Sequence, residues 1–142
     1  MITPVQYSIA ISEEHLGETV PVPLQGGLLG GLRCASSLGF DAVEIHVRSP
    51  LSIETDRILQ TLEETGIKIV AVGTGLEYTL NGLSLTSEDE QCRRLCAQRF
   101  REHIDLASGF GATVFVGLCR GSAPTPDACV TYLRLLRFEL LD

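Results

Sequence analysis

The chain has 142 residues, of which 44% are hydrophobic and 20% charged, a composition typical of a globular domain with its own core. Its 11 lysines and arginines against 18 aspartates and glutamates give a formal charge of −7, which argues against nucleic acid or an anionic membrane as the main partner. No apolar stretch approaches the ~18–20 residues that span a bilayer, and Met1-Ile2-Thr3-Pro4 has no basic leader region, so the sequence predicts a cytoplasmic protein.

Short apolar runs alternate with longer stretches of helical periodicity along the chain. The first half of this pattern predicts a strand over 5–11, a helix over 24–38, a strand over 42–47, a helix over 52–65 and a strand over 67–72. The second half predicts a loop over 73–86 with a hairpin near 78–85, a helix from 87 to about 110, a strand over 112–118 and a last helix from 126 to about 141. The alternation predicts a single α/β domain over 1–142, with a parallel sheet and right-handed crossovers.

Polar residues indicate where the predicted helices begin. Ser52 could cap the second helix, and Ser87-x-x-Glu90 has the spacing of a capping box before the third. Thr125-Pro126 is typical of an N-cap followed by proline in the first helical position. The hairpin prediction rests on Asn81-Gly82, a pair that favours a tight turn between strands.

The five cysteines predict reduced thiols, since an odd number without a secretory leader is not typical of a disulfide framework. Cys92 and Cys96 stand four residues apart on a predicted helix and could in principle hold one side of a metal ion. No CxxC motif or Cys/His quartet completes such a site. The favoured interpretation is that both are small side chains facing the core.

The second predicted strand ends in alternating ionisable residues. Glu44, His46 and Arg48 fall on one face of an extended chain, because successive side chains of a strand point to opposite faces. Three ionisable groups on one face predict a polar cavity at the strand end, where parallel α/β folds bind ligands. We expect Glu44 and His46 to be catalytic, with Glu44 as a base or as the group that orients His46. The alternative is an internal ion pair between Glu44 and Arg48.

Further candidates follow the other predicted strands. Thr74 lies in Gly73-Thr74-Gly75, a segment that could bring backbone close to a substrate or could simply be a turn. Tyr78 could cover a ligand or plug the loop. Arg120 and Ser122 offer a cation and a hydroxyl suited to a phosphate or a carboxylate. The predicted substrate-binding residues are therefore Arg48, Thr74, Tyr78, Arg120 and Ser122.

Several segments together resemble a known family, the sugar phosphate isomerases/epimerases of the xylose isomerase-like TIM barrel superfamily. The similarity extends from about residue 9 to about 121. It rests on GFDAVE at 39–44, VEIHVR at 43–48, LEETGIK at 62–68, AVGTG at 71–75, LSLTS at 83–87 and the helix over 99–111. The resemblance implies a (β/α)8 barrel, a divalent metal (Mn, Mg, Zn or Co) and proton transfer next to a sugar carbonyl.

The chain departs from that family in length and in metal ligands. A complete barrel needs about 250 residues, whereas four βα units account for this chain. The family's metal is usually held by two glutamates, an aspartate and a histidine from the later strands, and no residue here matches that set. The resemblance therefore implies the amino-terminal (βα)4 half of a TIM barrel, with no metal expected for this chain alone.

Three functional hypotheses remain. The first is the amino-terminal half of a metal-dependent sugar or sugar-phosphate isomerase or epimerase, inactive alone. The second is a non-catalytic half-barrel that associates with itself or with a missing second half, because an open sheet exposes its edges and an apolar inner face. The third, a flavodoxin-like nucleotide binder, fits the βα alternation, but the first strand is not followed by a phosphate loop.

Overall fold

The computed structural model describes residues 5–141, and their side chains except those of residues 133 and 135–141. Residues 1–4, on which the expectation about a leader partly rests, lie outside the described residues. The regular elements are the strands Ser8–Ser12 (β1), Ala42–His46 (β2), Lys68–Gly73 (β3) and Thr113–Phe115 (β4), and the helices Leu28–Ser37 (α1), Thr55–Thr65 (α2), Gly75–Thr79 (α3), Glu90–Phe110 (α4) and Pro126–Leu141 (α5). Short 3₁₀ turns cover Pro50–Ser52 and Gly117–Arg120.

The four strands form one parallel sheet in the order β1-β2-β3-β4. The predicted α/β fold of four parallel strands with helices is thereby confirmed, and it is consistent with part of a TIM barrel. The register aligns His46 with Ser12 on one side and Gly73 on the other, and Gly73 in turn with Phe115. These residues lie at the carboxyl ends of their strands, so the register brings the ends of all four strands to one edge.

The main core lies between the sheet and helices α1, α2 and α4. Apolar side chains of alternate strand residues face these helices and are fully buried. In β2, these are the residues that alternate with Glu44 and His46 along the strand. The buried cluster includes Ile11, Val43, Ile45, Val72, Leu32, Ile58 and Ala107. Glu44 and His46 consequently face the other side of the sheet, where both remain partly exposed.

A second, smaller core holds α4 against the chain segments that follow β3 and β4. It contains Leu83, Leu85, Cys96, Phe100 and Cys119. The backbone N–H of Leu85 donates to the carbonyl of Cys119 at 2.9 Å, so the two segments are also joined by a hydrogen bond. The expectation that Cys96 faces the core is confirmed.

The predicted hairpin near 78–85 is wrong. In its place, α3 covers Gly75–Thr79, and the N–H of Leu83 turns back to the carbonyl of Glu77 at 2.9 Å. The glycine of the Asn81-Gly82 pair does adopt a positive φ of 68°, but it ends a helical turn there and does not join two strands. The sequence therefore predicts the turn correctly, but the two strands predicted on either side of it are wrong.

Two of the three predicted helix starts differ in the structure. Ser52 lies in a 3₁₀ turn, and its hydroxyl donates to the carbonyl of Ser49 at 2.8 Å, so it does not cap α2. The cap of α4 is Asp89, whose Oδ1 accepts the N–H of Gln91 at 2.9 Å. The third prediction is confirmed, because the Thr125 hydroxyl oxygen accepts the N–H of Ala128 at 3.1 Å.

The remaining differences concern the bounds of elements. The strand predicted over 112–118 is only Thr113–Phe115, and the chain then coils into the 3₁₀ turn Gly117–Arg120. The helix predicted from residue 24 begins at Leu28, because Leu24 forms a bridge to Ile11 beside β1. Among the described helices, none is long and apolar enough to cross a membrane.

Candidate functional site

A cavity of about 420 Å³ lies at the carboxyl ends of the strands, on the face of the sheet that points away from α1 and α2. Its walls are mainly apolar. They come from the segment after β1, from α3 and from the residues around β4, and include Leu16, Val22, Leu76, Leu80, Phe115 and Leu118. The ionisable side chains that line it are Glu44, His46 and His15. A mainly apolar cleft with a few convergent polar groups is the usual form of a small-molecule site.

Glu44 and His46 form the polar centre of this cavity. The Nε2 atom of His46 lies 2.6 Å from Oε1 of Glu44, and the side chains are 14% and 33% exposed, respectively. Because an ionised carboxylate can only accept hydrogen bonds, Nε2–H donates to it. This bond orients the imidazole, whose second ring nitrogen, Nδ1, lies against Gly73, 2.7 Å from where a Cβ atom would stand. The structure thus brings together the two residues that the sequence predicted as catalytic; their catalytic role stays a prediction.

Gly73 allows His46 to occupy this position. A Cβ atom on Gly73 would lie 2.6 Å from Cε1 of His46 and 2.9 Å from Cζ of Phe115, both far inside van der Waals contact. The two rings meet over the glycine with their centroids 6.1 Å apart and their planes at 73°. The Gly73-Thr74-Gly75 segment was expected to allow a close approach to backbone, and the side chains that approach are His46 and Phe115.

Arg48 does not line the cavity beside Glu44 and His46. The strand ends at His46, although the next residue, Val47, is still buried in the main core with Ile45. The backbone N–H of Arg48 donates to Oε2 of Glu13 at 3.1 Å, and its guanidinium lies 3.6 Å from Oε1 of Glu14. The alternative, an ion pair between Glu44 and Arg48, is therefore wrong, whereas the role of Arg48 in substrate binding stays a prediction.

Thr74 and Tyr78 lie outside the cavity. Thr74 is fully buried, and its hydroxyl lies 2.6 Å from the carbonyl oxygen of Val116, which ties the end of β3 to the end of β4. Tyr78 is 45% exposed and belongs to α3, but the α3 residues that line the cavity are Gly75, Leu76 and Thr79. Whether either residue contacts a substrate stays a prediction.

Arg120 and Ser122 lie in the turn after β4, where backbone contacts dominate. The Arg120 guanidinium donates to the carbonyl of Gly117 at 2.8 Å. The Thr86 hydroxyl lies 2.9 Å from the carbonyl of Arg120 and 3.0 Å from that of Ser122. Neither residue lines the cavity, and their predicted role in binding a phosphate or a carboxylate stays a prediction.

A buried ionisable pair lies next to the cavity, on the opposite side of α3. Glu77 and His103 are almost completely buried, with Oε1 of Glu77 4.0 Å from Nδ1 of His103. Nδ1 lies 2.8 Å from the carbonyl of Arg99, and Asn81 donates to Oε2 of Glu77 at 2.7 Å. Within the described residues, Oε1 of Glu77 and Nε2 of His103 have no hydrogen-bond partner. The pair anchors α3, which supplies part of the cavity wall, to α4.

Sequence reasoning missed part of this arrangement. His15 is not among the residues predicted for the site, yet it lines the cavity, since the segment after β1 folds over the strand ends. Its position shortly after a predicted strand was the available signal. His103 lies in a predicted helix among polar neighbours, and only the tertiary contact with Glu77 shows that it is buried.

The described residues do not form a complete metal site. Within the part of the chain that the structure describes, no three histidine, cysteine, aspartate or glutamate side chains are placed to hold a metal ion together. Glu44 and His46 would provide two donors, whereas a catalytic zinc site uses three protein ligands. The divalent metal implied by the family resemblance therefore does not fit the described residues alone.

Four parallel βα units with polar side chains at the strand ends define this chain as part of an α/β barrel. The chain belongs to the xylose isomerase-like TIM barrel family, whose model matches residues 32–138, more than half of its length. No curated protein is found to match it.

Solved structures share the fold at low sequence identity. A D-allulose 3-epimerase from Methylomonas sp., in complex with D-allulose, matches with a TM-score of 0.56 and 17% identity over 79% of this chain. An AP endonuclease, family 2, from Brucella melitensis matches with a TM-score of 0.56 and 17% identity over 96% of this chain. The aligned parts cover 41% and 50% of those two chains, so this chain spans about half the length of its structural relatives.

Proposed function

We propose that this chain provides one side of the active site of a metal-dependent sugar or sugar-phosphate isomerase or epimerase. The observation that carries the proposal is the Glu44–His46 pair, joined at 2.6 Å and facing a cavity of about 420 Å³ at the carboxyl end of β2. Family membership supports the same reaction class, and so does the bound sugar named for the epimerase relative.

The pair suits proton transfer next to a carbonyl. Such a reaction removes a proton from a carbon beside the carbonyl and returns it to a neighbouring atom or to the other face, so it needs a base and a group that carries the proton. Glu44 can accept the proton, and His46, bonded to Glu44 through Nε2, can act as the group that carries it. Once the rest of the barrel closes the cavity, its apolar walls would keep water from the carbanion-like intermediate.

The rest of the active site comes from further βα units. The described residues offer a two-donor pair and no complete metal cage, whereas a metal would stabilise the negative charge that develops on the carbonyl oxygen. We propose that a second (βα)4 half, in the same polypeptide or in a partner, supplies the metal ligands and closes the cavity. Without that half, we expect the described chain to bind sugar without turning it over.

A second candidate function is a non-catalytic half-barrel that works by pairing. The observation that favours it is the open sheet, whose strand order leaves β1 and β4 at its edges. A nucleic-acid substrate, as the AP endonuclease relative would suggest, is disfavoured by the formal charge of −7. A cytoplasmic location is proposed from the odd number of cysteines alone.

Calorimetric titration of the purified chain with D-allulose tests the proposal. We expect weak, saturable binding that is lost when the ligand's carbonyl is reduced to the alcohol, and about tenfold weaker binding in Glu44→Gln and His46→Asn, equivalent to about 1.4 kcal/mol. Glu54→Gln is the matched control, because Glu54 is an exposed glutamate beside α2, outside the cavity.

The outcomes separate the candidates. Equal affinity for the reduced ligand, or unchanged affinity in both cavity variants, contradicts the proposed site. Binding of double-stranded DNA in place of sugar would favour a nuclease-like function. Binding of neither ligand, together with formation of a stable dimer, favours the pairing module.

A further inference from the structure

Two buried thiols face each other in the smaller core. The Sγ atoms of Cys96, on α4, and Cys119, in the 3₁₀ turn Gly117–Arg120, lie 3.3 Å apart, and both residues are at most 1% exposed. They are 23 residues apart in sequence and join two different elements. Cys34, Cys92 and Cys129 are only partly buried, and no sulfur–sulfur contact is found for them among the described residues.

The contact is asymmetric in its chemistry. The hydrogen bond from the Cys96 thiol lowers the pKa of Cys119, whereas the same bond and burial raise the pKa of Cys96. Cys119 is therefore the member that more readily forms a thiolate, and Cys96 is the member that keeps its proton. A thiolate beside a second thiol is the arrangement in which an oxidised sulfur is captured as a disulfide.

We propose that Cys96 and Cys119 form an oxidisable pair that closes to a reversible disulfide when the protein meets a peroxide. The two sulfurs need to approach by only slightly more than 1 Å from their present distance, because a disulfide bond is about 2.05 Å long. This inference rests on the thiol geometry and is independent of the proposed sugar chemistry.

The reaction balances in two steps. The Cys119 thiolate attacks one oxygen of hydrogen peroxide, the O–O bond breaks, and the departing hydroxide takes up a proton to leave as water, so that Cys119 becomes a sulfenic acid. The sulfur of Cys96 then displaces the sulfenic hydroxyl, the S–O bond breaks, and a second water leaves with the thiol proton. Two thiols lose two electrons in total, and one peroxide is reduced to two waters.

The bond would link α4 to the wall of the cavity. Leu118, adjacent to Cys119 in the 3₁₀ turn, lines the cavity and is 51% exposed, so the turn lies at the surface although its cysteine does not. Peroxide would reach Cys119 through local opening of this short turn, whose Leu118 side is already exposed. A disulfide would hold this part of the wall against α4.

The test is peroxide treatment of the folded wild-type chain, followed by removal of peroxide, denaturation, alkylation of the remaining thiols and mass spectrometry. We expect two fewer alkylated cysteines than in the untreated chain, a mass about 2 Da below that of the chain carrying three alkyl groups, a cross-linked pair of peptides containing Cys96 and Cys119, and full reversal by dithiothreitol. All five thiols staying free, or cross-links spread over Cys34, Cys92 and Cys129, would overturn the proposal.

Variants identify the roles of the two sulfurs. Cys96→Ser should leave a sulfenic acid on Cys119 that reacts with dimedone, with no cross-link, whereas the matched variant Cys92→Ser, one helical turn earlier on α4, should form the disulfide as the wild type does. Dimedone labelling of Cys96 in Cys119→Ser at an equal rate would contradict the assigned direction. Peptide mapping of the wild type needs no variant, so a folding defect in Cys96→Ser leaves the main test intact.

Discussion

His46 owes its position to a residue without a side chain. Its ring lies over Gly73 beside Phe115, at distances that no Cβ atom on Gly73 would permit, and its Nε2 is bonded to Glu44. The geometry of the proposed site therefore depends on three adjacent strands at once: β2 for the pair, β3 for the glycine and β4 for the aromatic ring. A substitution at Gly73 should therefore disturb the site although both ionisable residues, Glu44 and His46, are kept.

Gly73→Ala should destabilise the protein and displace His46. Because the new methyl group would overlap the His46 and Phe115 rings, we expect a loss of about 1–3 kcal/mol in the free energy of unfolding. Urea denaturation measures the loss. Gly75→Ala is the control, since no atom lies within 4 Å of a Cβ there and φ is not positive. Equal stability of the two variants would contradict the close packing around Gly73.

At this scale the sequence predicts that Glu44 and His46 come together, and the structure places them 2.6 Å apart. Arg48 instead contacts Glu13 and Glu14, in the segment after β1, whose path over the strand ends is a tertiary feature. Thr74 shows a second limit, because its hydroxyl donates a hydrogen bond to the carbonyl oxygen of Val116, 42 residues away in sequence. Neither the path of such a segment nor a distant hydrogen-bond partner can be read from local residue types.

Among the elements, α4 shows how one cap determines where a helix begins. Ser87 and Glu90 have the spacing of a capping box, but the residue that accepts the first free N–H is Asp89, and the Ser87 hydroxyl oxygen instead accepts the N–H of Asp89 at 3.2 Å. Both residues precede the same helix, so substituting each separately measures which one caps it.

Asp89→Ala should lower the free energy of unfolding by about 1 kcal/mol, the usual contribution of an N-cap side chain. Ser87→Ala should cost less, because it removes a hydrogen bond to the N–H of the cap and none to the helix itself. Thermal unfolding of the two variants provides the comparison. A larger loss for Ser87→Ala would restore the capping box predicted from the sequence.

The element that local reasoning missed is α3. The Asn81-Gly82 signal favours a hairpin, but Glu77 is drawn into the interior, where it accepts a hydrogen bond from Asn81 and lies 4.0 Å from His103 of α4. A five-residue helix held by such tertiary contacts leaves almost no periodicity in the sequence. The long, strongly periodic elements α1, α2 and α4 were predictable because each buries a continuous stripe.

For the molecule as a whole, the open sheet leads to a prediction about association. The edges β1 and β4 and the mainly apolar cavity face are not closed by the described residues, as a complete barrel would close them. We expect sedimentation velocity to show concentration-dependent association of the chain. The net charge of −7 makes the chains repel each other and so opposes association. Because salt screens this repulsion, association should strengthen as the salt concentration is raised. A single monomeric species at all concentrations and salt levels would contradict this expectation.

The fold class is the part of the whole that sequence reasoning predicts best. Four βα units form a parallel sheet in a barrel and in an open sheet alike. This is because consecutive strands usually lie side by side and their helical crossovers are right-handed in both folds. The source of the metal ligands that the proposed function requires could not be predicted, because the described residues do not bring such a set together.

The central claim is that Glu44 and His46 line a sugar-binding cavity, and proton NMR of the histidine rings tests it most directly. The chain has three histidines: His15 and His46 line the cavity, and His103 lies buried beside Glu77. After assignment by single His→Gln substitutions, titration with D-allulose should move the Cε1 proton signal of His46 saturably and leave that of His103 in place. A His46 signal that stays unmoved, or one that moves no more than that of His103, would contradict the proposed site.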